Sequence, residues 1–391
     1  MLQAHWKLWS GILIAIVLAA LLALRLTRRV PPFEIPADRV LSDWGSMDAE
    51  SAERMQSILD ENLNTLHVPG LQAFVRLPDG RSWSGSSGTA DLARRIPLRR
   101  EHCLRVGSTT KTLTAVVILK LVEQGSLSLE DPLSKWFPDY PNAESITIHQ
   151  LLNHTSGIPD FLQSPEVIMK SILPSQRWVM QDLLDIAARA EPPFPPGGGW
   201  HYSNTNYILL GLIAERVTDQ PAAQLMRDMI SAPLGLTNTH FIPYEPAPRM
   251  LVPGFDRDLS RFPGMLEISP SNTSWATAAF TSGALASTAD DLGTFYHALF
   301  AGELLSPPSM EAMTTFVQAD NPGFEAQDGY GLGLMRLNVD GHRLIGHVGE
   351  FMGSTAIAMH SPEDGYLMVL TSNLSFPDLV APLGQLQAAL P

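Results

Sequence analysis

The hydrophobic period of this 391-residue chain changes along its length, and that change restricts the folds open to it. Near the start, "LQAFVRL" and "RSWSGSSGTA" flank the turn Pro78-Asp79-Gly80 and read as a pair of strands. From Ser108 to about Ala222 the spacing is helical, interrupted by loops rich in Pro, Gly and Asn. The tail returns to short runs, "YGLGLMRLNV", "HRLIGHVGE", "STAIAMH" and "YLMVLTSN". These are parted by "DG" and "SPEDG", the pattern of an antiparallel meander. Two amphipathic or apolar helical stretches, "MDAESAERMQSILDENL" and "DLVAPLGQLQAAL", bracket these segments. Strands at both ends with helices between them predict an α/β (α+β) protein with one antiparallel sheet flanked by helices. The sheet part is expected from about 45–107 and 285–391, with a helical subdomain of about 108–284 inserted. A ligand is expected in the cleft between the two.

The segment before this domain is of another kind. "LWSGILIAIVLAALLAL" runs from Leu8 to Leu24 without a charge, between Trp6 and Trp9 on one side and Arg25, Arg28 and Arg29 on the other. Residues 1–31 are therefore expected to form an uncleaved membrane anchor, since arginines stand where a cleavable signal needs small residues. The proline-marked stretch 32–44 reads as a stiff linker into a domain of 45–391. Beyond residue 31 there are 22 basic against 40 acidic residues. So acidic a body argues against a nucleic-acid partner, which needs clustered bases. Cys103 is the single cysteine, which excludes an intramolecular disulfide and a cysteine-based metal cluster.

Several chemistries are absent from the sequence. No serine sits in G-x-S-x-G, no histidine precedes a glutamate, and no Gly-Lys pair exists, so nucleophile elbow, zinc helix and P-loop are all excluded. What is present is Ser108-Thr109-Thr110-Lys111 at the head of an apolar helix. Its hydroxyls could serve only as a helix cap. Five lysines stand against twenty-one arginines, however, and only Lys111 follows a serine by three residues. A lysine where arginine is the habit points to a group that must lose its proton. Positions i and i+3 share a helix face, and burial would lower the amine's pKa, making Lys111 a base for Ser108.

Two further elements carry suitable side chains. In "PPGGGWHYSNTNYILLGLIAERV", Tyr202 and Asn204 stand at a loop end before a helix. A tyrosine there can shuttle protons, and an amide can hold a substrate carbonyl or orient a lysine. In "LIGHVGEFMGST", His347 and Gly349 lie on an expected strand where glycine would let substrate backbone approach.

Ser-x-x-Lys, Tyr-x-Asn and His-x-Gly in this order resemble the motifs of the serine β-lactamase and penicillin-binding protein superfamily. The similarity is to its branch of class C β-lactamases, DD-peptidases and family VIII esterases, and spans nearly everything after the linker. It includes "LVEQGSLSLEDPLSKWFPDYP", "ITIHQLLNHTSGIPDF", "SAPLGLTNTHF" and "TSGALASTADDLGTFYHALFAGELLS". The resemblance implies that Ser108 forms an acyl-enzyme, Lys111 deprotonates it and Tyr202 shuttles protons. It implies that Asn204, His347, Gly349 and Glu350 line the substrate site, with the N–H groups of Ser108 and Glu350 as the oxyanion hole. Gly125, Asn153, His154, Ser156 and Gly157 match positions read as structural. No cofactor or metal is implied. The implied partner is a small-molecule or peptide substrate, and relatives facing the cell wall imply an extracytoplasmic domain, although the charges flanking the anchor leave its orientation open. His347 replaces the usual lysine of the third motif, Val348 its threonine, and Glu350 adds a negative charge. These departures favour a peptide, amide or ester over a carboxylate-bearing β-lactam. A true β-lactamase or DD-peptidase, and a non-catalytic scaffold that keeps the fold, are the competing readings.

Overall fold

The computed structural model describes residues 46–171, 177–257, 265–268, 273–321 and 324–391. The expected anchor and the whole of the expected linker lie outside these residues. Among the described residues no helix is long and apolar enough to cross a membrane.

Strands from both ends of the chain meet in one sheet. β1 (Gly70–Arg76), β2 (Ser82–Asp91) and β3 (Ile96–Pro97) come from the first part. β4 (Val317–Gln318), β5 (Gln327–Tyr330), β6 (Met335–Val339), β7 (His342–Phe351), β8 (Ser354–His360) and β9 (Leu367–Ser372) come from the last. Their order is β3-β2-β1-β9-β8-β7-β6-β5-β4. The two parts join where β1 pairs antiparallel with β9, Leu71 opposite Ser372 and Arg76 opposite Leu367. Side chains alternate between the faces. Ile357, Met359, Met368 and Leu370 pack on one side beneath the terminal helices; Ala356, Ala358 and Val369 join the core of the helical part on the other.

Helix α1 (Ala49–Thr65) is capped by Asp48, whose carboxylate accepts the Ser51 N–H at 2.9 Å. It buries Met55, Leu59 and Leu63 at four-residue spacing against the sheet. Each such fully buried side chain contributes about 1.5–3 kcal/mol. On the opposite face lies α2 (Thr110–Glu123), whose Leu113, Val116, Val117, Ile118, Leu119 and Leu121 are all buried. It packs against α3 (Asn204–Thr218) and α4 (Ser274–Gly283), while α5 (Ala289–Phe300) lies on β1, β8 and β9. The expectation of one sheet from both chain ends with helices inserted holds. The middle of the chain also contributes short strands that the helical spacing did not foretell. His240–Phe241 and Leu104–Arg105 pair on either side of Leu285–Ser287, closing the base of the helical part.

Candidate active site

The first expected motif sits where sheet and helices meet. Gly107–Thr109 form one tight turn that runs directly into α2. The hydroxyls of Thr109 and Thr110 fix this turn by donating back to the carbonyls of Val106 (2.9 Å) and Gly107 (2.6 Å). Strand β7 supports it from the side. A Cβ on Gly349 would lie 1.9 Å from the Val106 oxygen, 2.7 Å from the Thr109 nitrogen and 2.9 Å from the Ser108 nitrogen. This corrects one expectation: Gly349 makes room for the protein's own turn, not for substrate backbone. Gly107 approaches the backbone of Glu350 as closely. Beyond Gly346 the outer edge of β7 has no strand partner among the described residues, because the pairing with β6 ends there. Ser108 is thus held against an open strand edge.

Lys111 is fully enclosed, at 0% exposure, in the first turn of α2. Its Nζ lies 2.9 Å from Ser108 Oγ, 2.7 Å from Asn204 Oδ1 and 2.8 Å from the Ser282 carbonyl oxygen. Asn204 Oδ1 and the Ser282 oxygen can only accept, so they take two N–H bonds of the amine. In the neutral amine the remaining tetrahedral direction, a lone pair, then faces the Ser108 hydroxyl. Burial brings the Lys111 pKa down to about 7, against the opposing pull of the Asp160 carboxylate. An amine held this way can take a proton at neutral pH.

Asp160 and Ser282 were not singled out in the sequence. Asp160 Oδ2 accepts from Asn204 Nδ2 at 2.9 Å, and its Oδ1 accepts from the N–H groups of Leu162 (3.1 Å) and Asn204 (3.3 Å). This fixes which end of the Asn204 amide faces Lys111. Of the two roles expected for Asn204, the geometry supports orienting the lysine. The Ser282 carbonyl is aimed by a break in α4 at Phe280, which adopts φ +39°. This strained conformation also sends the Thr281 carbonyl to the Thr114 hydroxyl at 2.7 Å.

Tyr202 closes the other side. It lies beside the Ser108 side chain, and burial holds its pKa well above the ordinary phenol value, so its hydroxyl is protonated at neutral pH. The Lys111 ammonium position lies 4.8 Å from its ring centre. Behind it, His154 packs 4.5 Å from Tyr202 and 4.6 Å from Tyr330. His154 Nδ1 accepts the Ser203 N–H at 3.2 Å, and burial keeps the ring neutral. His154, read as structural, therefore also forms the back wall of the site.

His347 is placed otherwise than expected. It is 0% exposed, so it does not line an open substrate surface. Its Nδ1 lies 2.6 Å from the Val348 carbonyl and its Nε2 2.9 Å from the Tyr330 hydroxyl. A ring that donates to the carbonyl and accepts from the phenol is neutral. Burial, followed by nearby Lys111, brings its pKa down to about 3. Glu350, by contrast, is exposed, while crowding around its carboxyl raises its pKa above the ordinary value. Among the described residues no cluster of three or more metal-ligating side chains occurs.

A family model described as Beta-lactamase matches residues 55–390. The chain belongs to the Beta-lactamase family. Within it, the chain is 30% identical over 224 residues to esterase EstB of Burkholderia gladioli, covering 54% of this chain and 57% of that one. The chain spans less than two thirds of the length of the curated relatives it matches first. Among solved structures, the D-amino acid amidase of Ochrobactrum anthropi in complex with D-phenylalanine is similar at a TM-score of 0.80. That match has 29% identity and covers 87% of this chain and 99% of that one. A penicillin binding protein from Bacillus halodurans is similar at 0.73, with 25% identity over 86% and 99% of the two chains. This Beta-lactamase-family chain thus has esterase, amidase and penicillin-binding relatives on the same scaffold.

Proposed function

We propose that the protein is a serine acyl-hydrolase that forms an acyl-enzyme on Ser108 from a small peptide, amide or ester. The observation that carries this reading is the enclosed Lys111 amine, 2.9 Å from Ser108 Oγ, with two acceptor-only oxygens holding its other bonds. Lys111 takes the Ser108 proton as Oγ adds to the substrate carbonyl. The N–H groups of Ser108 and Glu350, brought together by the close packing of β7 on the Gly107–Thr109 turn, hold the developing oxyanion. Tyr202 donates its proton to the leaving group, and water then cleaves the ester on Ser108 by the reverse proton path. The open edge of β7 supports a substrate with backbone-like amide groups. Carboxylate-bearing β-lactams fit less well, since Val348 offers no hydroxyl and His347 no charge. The names of the amidase and esterase relatives support the same substrate classes. The apolar run Leu8–Leu24 supports attachment of this domain to a membrane.

The test is covalent labelling of the domain by a neutral fluorophosphonate, read by intact mass and mapped to its site. One label on Ser108, absent in Ser108→Ala, is the expected result; a folded wild type that takes no label would end the proposal. The labelling rate should rise with pH and level off above about 7, because the neutral form of Lys111 is the reactive one. A rate flat from pH 5 to 9 would remove Lys111 from the base role.

Asp160→Asn should move that limb to lower pH, since the carboxylate that favours the ammonium form is gone. The plateau should also fall by about tenfold, because the Asn204 amide is free to turn over and misplace the amine. Asp160→Glu, which keeps the charge, should restore the position of the limb more than the height of the plateau. Unchanged pH dependence in Asp160→Asn would show that the carboxylate does not act through Lys111.

A further inference from the structure

We propose that Glu350 makes this site selective for substrates whose leaving group carries a positive charge, an inference that rests on the acyl-enzyme reading of Ser108. The Cβ direction at Gly349 points into the Val106–Thr109 turn, so Val348 and Glu350 project from the opposite face of the strand. Val348 packs against the same apolar cluster as Tyr202, and the Tyr202 hydroxyl senses the charge of Glu350. Glu350, whose backbone packs against Gly107 next to Ser108, thus presents an exposed carboxylate at the rim of the site, on the side within electrostatic reach of Tyr202. That is the side from which Tyr202 hands a proton to the leaving group.

The charge balance there is one-sided. Among the described residues the Glu350 carboxylate makes no hydrogen bond and no ion pair, although its side chain is crowded enough to be partly desolvated. The basic side chains nearby cannot answer it. His347 and His154 are enclosed and neutral, and the Lys111 amine is fully committed to Ser108, Asn204 and Ser282. Arg105 is buried and stacked over the Phe351 ring, so among the described residues around Ser108 a substrate anion would meet an unpaired carboxylate and no exposed cation. A substrate cation would give the carboxylate the partner it lacks, through a charge-assisted contact. The net charge of −14 adds a long-range field of the same preference.

Three thioacetates with matched acyl groups test this at pH 8. They are acetylthiocholine, its neutral isostere S-(3,3-dimethylbutyl) thioacetate, and the anionic 3-(acetylthio)propionate. Thiol release gives kcat/KM for wild type, Glu350→Gln and Glu350→Lys, and fluorophosphonate labelling confirms an active Ser108 in each. The cationic-to-neutral ratio within each variant is compared, so that a general change in reactivity cancels. Wild type should favour the cation over the isostere by about tenfold, the scale of one charge-assisted contact. Glu350→Gln should bring the ratio near one, and Glu350→Lys should invert it in favour of the anion. Should none of the thioesters turn over, their protection of Ser108 against labelling supplies the same ratios. A wild-type ratio near one, or one unchanged in Glu350→Gln, overturns the inference and leaves the hydrolase reading standing. Absence of Ser108 labelling overturns both, and is recognised by the missing mass increment.

Discussion

Lys111→Ala is expected to slow acylation of Ser108 by about 10³-fold at pH 8 and to abolish the rise of the rate towards pH 7. The substitution removes the one amine within reach of Oγ and leaves Asn204 Oδ1 and the Ser282 carbonyl as buried acceptors without it. Each unpaired acceptor costs about 1–3 kcal/mol, while removing a buried amine offsets part of that through the desolvation it no longer requires. The fold should therefore survive with a modest change in melting temperature. Lys111→Arg is the sharper control. It keeps a cation in the same chamber but cannot give up its proton at any accessible pH, so it should be as slow as the alanine variant. Near wild-type labelling in Lys111→Arg would mean that the residue serves by charge alone, and the base would have to be sought elsewhere.

Gly349→Val should have a comparable effect from a residue with no chemistry of its own. The new Cβ would fall 1.9 Å from the Val106 oxygen, and the atoms next nearest are also backbone, so no side chain can swing aside. Either β7 or the Gly107–Thr109 turn must shift. Overpacking of this kind costs about 1–3 kcal/mol of stability. A displacement of the nucleophile by about 1 Å lowers the rate by about 10²-fold. Urea unfolding and labelling rates measured together check both parts. A variant that is destabilised yet labels at full speed would show that β7 supports the fold but does not set the geometry of Ser108.

The parts of this site that could be read from sequence are those whose partners are close along the chain or follow a period. Ser108 and Lys111 are three residues apart, and that spacing alone puts them on one helix face. The switch from strand-like to helical spacing and back was enough to expect a sheet shared between the chain ends. Three features stayed hidden for physical reasons. The Ser282 carbonyl is a backbone group, and backbone groups carry no signature in residue identity; its direction depends on the strained conformation at Phe280. Asp160 lies 44 residues from the amide it orients, in a loop where an acidic residue most often faces water. His347 was placed on a strand, but alternation does not say which face looks into a closed chamber. Only the burial against Tyr330 shows that it is neutral and enclosed. The glycine two positions on signals close approach, but its residue type does not say that the neighbour is the protein's own turn.

The pairing of β1 with β9 has a consequence for how the molecule comes into being. Leu71 and Ser372 are neighbours in the sheet though nearly the whole domain separates them in sequence. The turn that holds Ser108 rests on Gly349, which belongs to the same late-made strands. Closing so long a loop is costly and slow, and it cannot begin until the C-terminal strands have left the ribosome. A nascent or truncated chain that lacks these strands therefore carries Ser108 and Lys111 without the strand that sets their geometry, and reactivity arrives only once that strand has been made and paired.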